Sequence, residues 1–246
     1  MKRLVVNADD FGIAPGVNRG IVQALLAGVV TSTSCLVYGD MPALPPELHG
    51  RVGIHLRLTD GKPLSDPTRI GSLIGSNGRF PASREAVRLM AVDSDEVRRE
   101  WTAQIEMFLR SGFAPTHIDT HHHSHSLPGI AEVYADLASL YSVAALGLDG
   151  GGIRDLRSAG VRCPDFAEIT WNVFGPVNVL DLAGAAFAAG HETVFLMTHP
   201  GYVDDSLIQR SSMVQARRAE LDVLLSPRFR EAVADDGISL IGMGDL

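Results

Sequence analysis

Leu4-Val5-Val6-Asn7-Ala8-Asp9-Asp10-Phe11-Gly12, with the segment after it, decides the fold class. Leu4 to Asn7 is a short, β-branched-rich strand that stops abruptly in the polar run Ala8-Asp9-Asp10. Gly16 to Gly28 follows as a helix, with Val17, Ile21, Val22 and Leu25 at helical spacing and Gly28 as its stop. Val30 to Tyr38, rich in Thr, Ser and Val, is a second strand. A strand, a helix and a strand in this order predict parallel pairing through a crossover.

The alternation continues outward. Val52 to Thr59 is a third strand, with Ile54, Leu56 and Leu58 on one face and Gly53, His55 and Arg57 on the other. Residues Asp60 to Pro81 form a long loop, of a length that is usually functional or mobile. Asp95 to Arg110 is a helix with Val97, Trp101, Ile105 and Phe108 as its apolar stripe. Thr116 to Asp119 is a fourth strand and Pro128 to Tyr141 a helix. Ser142 to Leu148 reads as a strand, Gly150-Gly151-Gly152 as a turn, and Asp155 to Asn172 carries no clear pattern. Val179 to Ala189 is helical, Val194 to Met197 a strand, Arg217 to Leu225 and Arg228 to Ala234 helices, and Ile238 to Ile241 a last strand. The expected fold is α/β, a barrel or open sheet of mostly parallel strands in one domain over residues 1–246.

Composition narrows the function. Hydrophobic residues make up 46% and charged residues 20% of 246 residues, and the formal charge is −8 with acidic residues spread along the chain. That argues against nucleic acid, whose binding leans on clustered Lys and Arg. The nearest basic clusters are Arg98-Arg99, flanked by Glu96 and Glu100, and Arg217-Arg218, followed by Glu220, and both read as solvated helix faces. Cys35 and Cys163 are expected to be unpaired, with Cys35 a small core residue. Leu4-Val5-Val6 is too short for a signal-peptide core, and no stretch approaches the ~20 apolar residues of a membrane span. The expected location is the cytoplasm.

Five of the nine histidines fall between 117 and 125. If the backbone stays extended there, His117, Asp119, His121, His123 and His125 point the same way. Imidazoles and a carboxylate on one face are what a metal centre requires, although a surface loop or a structural metal site also fits the cluster. Asp9-Asp10 is by itself equally a helix cap. His55, alone in an apolar strand, is more often a satisfied core residue, and His199 follows the strand Val194 to Met197. Position changes these readings. Asp9-Asp10, His121 and His199 each stand at the C-terminal end of an expected strand, where active sites of parallel α/β folds gather, and His55 faces the same pocket if the barrel closes.

These segments resemble the YdjC-like carbohydrate deacetylases, which include bacterial chitooligosaccharide deacetylases. The resemblance rests on Val6 to Gly12, Gly28 to Thr33, Gly53 to Leu64 and Pro115 to His125, supported by Met197 to Gly201 and Arg218 to Leu224. It implies a distorted (β/α) barrel and hydrolysis of the N-acetyl group of a sugar or oligosaccharide. It also implies one divalent metal ion, magnesium or zinc, on Asp10, His55 and His121, with Asp9 as general base, and a homodimer. Two imidazoles and a carboxylate favour zinc or another transition metal over magnesium. His199 is expected to protonate the leaving amine, and His123 and His125 to orient ligands or hold sugar hydroxyls. His117 and Asp119 are expected to support the strand end.

The chain departs from that family at Asp40 to Arg51, a shortened connection with one crossover helix missing or reduced. It departs again at Ala144 to Leu148, which lacks an arginine and so alters a substrate contact. An amidohydrolase or phosphoesterase would carry a His-x-His pair on the first strand, where this chain has Asp9-Asp10. The remaining alternatives are a non-catalytic metal-binding protein and a deacetylase of lipid-linked glycans.

Overall fold

A computed structural model describes residues 1–37, 43–169 and 179–246. Its centre is a parallel sheet in the order β5-β4-β3-β2-β1-β7-β6, with β8 also paired to β1. The strands are β1 (Arg3–Phe11), β2 (Ser32–Cys35), β3 (Val52–Leu56), β4 (His117–Thr120), β5 (Ala144–Ala145), β6 (Phe166–Glu168), β7 (Thr193–Thr198) and β8 (Ser239–Leu240). The sheet curls into an incomplete barrel. No strand pairing joins β5 to β6 among the described residues, and Ala145 N–H donates instead to the Arg162 carbonyl.

Packing follows from parity along the strands. Leu4, Val6 and Ala8 of β1 face outward into the main core, where Val17, Ile21 and Leu25 of α1 (Pro15–Leu26) cover them. Val5 faces inward with Phe195, Met197, Leu146 and Met243. That apolar layer fills the barrel and is the floor on which the polar residues of the strand ends stand. The helices α2 (Arg84–Arg88), α3 (Ser94–Arg110), α4 (Ala131–Leu140), α5 (Gly150–Ser158), α6 (Val179–Ala188), α7 (Asp205–Arg210), α8 (Gln215–Leu225) and α9 (Pro227–Asp235) complete the molecule. In α3 the expected stripe of Val97, Trp101, Ile105 and Phe108 is buried.

Several expectations are corrected. β1 runs past Asn7 to Phe11. Gly150-Gly151-Gly152 is the first turn of α5, because Asp149 caps it by accepting from the N–H groups of Gly151 and Gly152. The segment 142–148 contributes only a two-residue strand, and part of the stretch 155–172 is the end of α5 and β6, residues 170–172 lying outside the described residues. Among its described residues the shortened connection carries a 3-10 helix, Pro46–Arg51, while Tyr38 and residues 39–42 lie outside the described residues.

The long loop 60–81 is latched. Fully buried Glu100 accepts hydrogen bonds from the N–H groups of Leu64 and Ser65, Arg57 donates to the carbonyls of Asp60 and Lys62, and Glu96 accepts from Ser72. Glu100 therefore does not belong to the solvated face read around Arg98-Arg99.

Candidate metal centre

Adjacent residues of a strand normally point to opposite faces, yet Asp9 and Asp10 line one cavity. A break in register between β1 and β2, from Ala8 to Phe11, makes this possible. There Asp10 takes φ 68°, a left-handed conformation that a short polar side chain tolerates better than most. The pair does not cap α1, whose N-cap, Ala14, makes no side-chain hydrogen bond.

Register explains the next layer. His55 of β3 sits directly opposite Asp119 of β4, so both project to the interior. His55 Nδ1 lies 2.7 Å from Asp119 Oδ1. Asn7, on the same face of β1, donates to Asp9 Oδ1 at 2.7 Å and to Asp119 Oδ2 at 3.4 Å. Ser34 Oγ stands 3.4 Å from Asp9 Oδ1 and 3.3 Å from His55 Nδ1. The Asp119 contact takes up Nδ1 and turns Nε2 of His55 toward the cavity, the orientation a carboxylate gives a metal-binding imidazole.

β4 ends at Thr120, and a 3-10 turn, His121–Ser126, begins with His121. His122 and His123 both adopt φ 54°. The extended geometry that would have aligned all five odd-numbered positions therefore stops at His121. His121 lines the cavity with Nδ1 inward, and His122 stacks on it with ring centroids 3.9 Å apart. His123 lines the same cavity. His125 turns away, with Nδ1 2.6 Å from Thr120 Oγ1 and its ring stacked on Tyr134, and lines a separate cavity of about 170 Å³. His117 is buried in the space that Gly53 leaves free, beside Thr116 Oγ1.

Three atoms from three strand ends now face one another. Asp10 Oδ1 is 3.1 Å from His121 Nδ1 and 3.5 Å from His55 Nε2, and the two nitrogens are 3.3 Å apart. Ligand atoms about 2.0–2.1 Å from a zinc ion at tetrahedral angles stand about 3.3 Å from each other. The donor set thus fits a small divalent cation. A second cluster, Asp9, His55 and Asp119, is also compact, but the Asp119 hydrogen bond already occupies His55 Nδ1.

The electrostatics agree with this fit. Burial works against charge on His55, but Asp119, Asp9 and Asp10 more than offset it and raise its pKa to about 9. The cavity floor thus attracts positive charge. Burial pushes Asp9 up, and Asp119 pushes it further, to well above the usual carboxylate range. Asp10 is opposite: despite its burial, Arg217, His121 and His55 hold it well below that range. His199, at the end of β7, places Nε2 4.0 Å from Asp9 Oδ2, and its backbone N–H donates to Glu220. Burial pushes its pKa down to about 3, so the ring is neutral at rest.

Arg217 is a cavity-lining residue that the sequence reading missed. It is 2% exposed, and Nη2 donates to Asp10 Oδ2 at 2.6 Å, which corrects the assignment of Arg217-Arg218 to a solvated face. The signal was present: Arg217, Glu220, Leu221 and Leu224 form the buried stripe of α8 at helical spacing. Arg218, its neighbour, is exposed and pairs with Asp222.

The cavity above these residues measures about 370 Å³. A second cavity of about 530 Å³ adjoins it, shares Asp60 and Arg210 with it, and is lined also by Lys62 and Arg79. The histidines His49 and His191 lie elsewhere, against Phe113 and Phe166.

The profile of the YdjC-like proteins matches residues 3–235. The chain belongs to the YdjC-like family. A carbohydrate deacetylase of Geobacillus stearothermophilus is 38% identical over 96% of this chain and 95% of its own length. A chitooligosaccharide deacetylase of Enterobacter sp. (strain 638) is 36% identical over 100% of this chain and 99% of its own. The crystal structure of an Enterococcus faecalis V583 protein, described as a candidate cellobiose-phosphate cleavage protein, superposes with a TM-score of 0.88 at 29% identity, covering 99% of this chain and 98% of that one. No helix among the described residues is long and apolar enough to cross a membrane.

Proposed function

We propose that this YdjC-like protein is a metal-dependent carbohydrate deacetylase, hydrolysing the N-acetyl group of a sugar to acetate and a free amine. The observation that carries the reading is the triangle of Asp10 Oδ1, His55 Nε2 and His121 Nδ1, with edges of 3.1 to 3.5 Å, open to a substrate-sized cavity. These three residues would hold a divalent cation, and their two imidazoles favour zinc or cobalt over magnesium. Such a cation supplies Lewis-acid polarisation of the acetyl carbonyl and acidifies water.

The chain's own residues do the rest. Asp9 is not a member of the donor triangle, lies beside it, and takes a proton from the attacking water. His199 is neutral at rest, so it protonates the leaving amine only after taking up a proton during turnover, and Asp9 Oδ2 is the group beside its Nε2. His123 orients the bound sugar from the cavity wall. Cytoplasmic residence and a homodimer belong to the same reading.

The experiment is metal removal and return. Dialysis against a chelator is expected to abolish acetate release from N-acetylated oligosaccharides, and zinc or cobalt to restore more activity than magnesium. Undiminished activity in metal-free protein would overturn the reading.

A narrower substrate is favoured by the adjoining cavity. Lys62, Arg79 and Arg210 give it positive charge within reach of the centre, which suits a phosphorylated oligosaccharide, in keeping with the name of the Enterococcus relative. Lys62→Ala with Arg79→Ala is expected to raise KM for a phosphorylated substrate about five- to tenfold, from two exposed cations at up to ~1 kcal/mol each, and to leave KM for the neutral sugar unchanged. An equal effect on both substrates would refute the phosphate assignment.

A further inference from the structure

We propose that Arg217 is a positioning residue that makes Asp10 a one-oxygen metal ligand. The inference rests on the metal-centre reading above and adds what that reading leaves open: how the carboxylate is presented. A carboxylate can meet a cation through one oxygen or two, and the choice sets the number of positions left for water and substrate.

Arg217 reaches Asp10 from α8, an element that contributes no donor to the triangle. Its Nη2 holds Oδ2 at 2.6 Å, while Nε donates to the Met213 carbonyl at 3.0 Å. The guanidinium is thus fixed at two corners, and the plane of the Asp10 carboxylate is fixed with it. Oδ1 alone faces His55 Nε2 and His121 Nδ1. Turning Asp10 to offer both oxygens would break a charge-assisted hydrogen bond between two groups that are 2% exposed each.

Stability does not account for this arginine. Among the described residues Arg217 Nη1 has no hydrogen-bond partner, and a buried charge with an unsatisfied donor is a poor way to fill a helix–sheet contact. Its place is explained by what it does to Asp10, whose left-handed backbone already commits the side chain to the cavity.

The same helix also ties the acid side of the site. The Arg217 carbonyl accepts from Gly201 N–H, and Glu220 accepts from His199 N–H. A substitution at 217 could therefore disturb the loop as well as Asp10, so the test reads the coordination directly.

The first measurement uses the unaltered protein loaded with zinc and needs no variant: a crystal structure or zinc X-ray absorption spectrum. One Asp10 oxygen on the metal, with Oδ2 still on Arg217, is expected, and two Asp10 oxygens on the metal would overturn the proposal. The second compares cobalt-loaded wild type with Arg217→Met and Arg217→Lys. In Arg217→Met, the visible cobalt bands are expected to weaken and shift as the coordination number rises. Zinc affinity, measured by competition with a chromogenic chelator, is expected to fall about 10- to 100-fold, the usual loss for a partner of a metal ligand. Arg217→Lys, which keeps one donor to Oδ2, is expected to recover most of the wild-type spectrum. A folded Arg217→Met protein with wild-type spectrum and affinity would overturn the proposal. Failure of the wild type to bind zinc or cobalt would instead overturn the metal-centre reading itself, and the proposal with it.

Discussion

Asp9→Asn is expected to lower kcat by about 10²- to 10⁴-fold, the range over which a positioned general base contributes. Bound metal should be unchanged. The substitution is nearly isosteric, and the new amide oxygen can still accept from Asn7 Nδ2, which now donates to Asp9 Oδ1 at 2.7 Å. The donor triangle of Asp10, His55 and His121 is not touched. What disappears is the carboxylate that can take a proton from water. Turnover and metal content measured on one sample separate the two roles. Full turnover in Asp9→Asn would mean that the base has been misassigned, and loss of metal would mean that Asp9 is a ligand.

His121→Ala is expected to reduce both bound metal and activity to background. Two donors then remain, Asp10 Oδ1 and His55 Nε2, and Asp9 Oδ2, 3.9 Å from His55 Nε2, lies outside the 3.1 to 3.5 Å edges of the triangle. The fold should survive, because His121 belongs to neither apolar core cluster and begins the turn at which β4 ends. His55→Ala is a less informative loss. It would leave Asp119 buried without its 2.7 Å partner, and breaking a buried pair costs about 3–5 kcal/mol. Metal content by elemental analysis, with thermal unfolding as the control for folding, checks the expectation. A folded His121→Ala protein that keeps one equivalent of metal would remove His121 from the centre.

Much of this site was legible before any coordinates. Polar residues that follow short apolar strands mark the C-terminal face of a parallel sheet, and Asp9, Asp10, His121 and His199 are all found there. His55 was legible from strand parity, because Ile54 and Leu56 must face the outer core. What stayed hidden depends on backbone detail or on distant pairing. The left-handed turn at Asp10 has no signature in Asp-Asp-Phe-Gly, yet it is what aims two neighbouring carboxylates into one cavity. Asp119 was read as support for its strand, and its partner became visible only with the register between β3 and β4. The left-handed pair His122 and His123 broke the parity that placed His125 beside the others.

Arg217 and Glu100 were misread for a different reason. Both are charged residues in helices with charged neighbours, and charge alone suggested solvent. Helical spacing carried the better signal: Arg217 is in phase with Leu221 and Leu224, and Glu100 with Val97, Trp101 and Gln104. A charged residue in phase with a buried stripe has a buried partner to find, and here the partners are a metal-ligand candidate and the latched loop at the cavity edge.

Cleavage of the amide of an N-acetylated sugar is the activity proposed for this cavity. Its most direct test is to incubate zinc-loaded protein with a panel of N-acetylated oligosaccharides, neutral and phosphorylated, and to quantify acetate and new primary amine together. Equal amounts of acetate and amine, absent from chelator-treated protein and from Asp9→Asn, are the expected result. Release of inorganic phosphate without acetate, or tight metal binding with no acetate from any sugar in the panel, would contradict it.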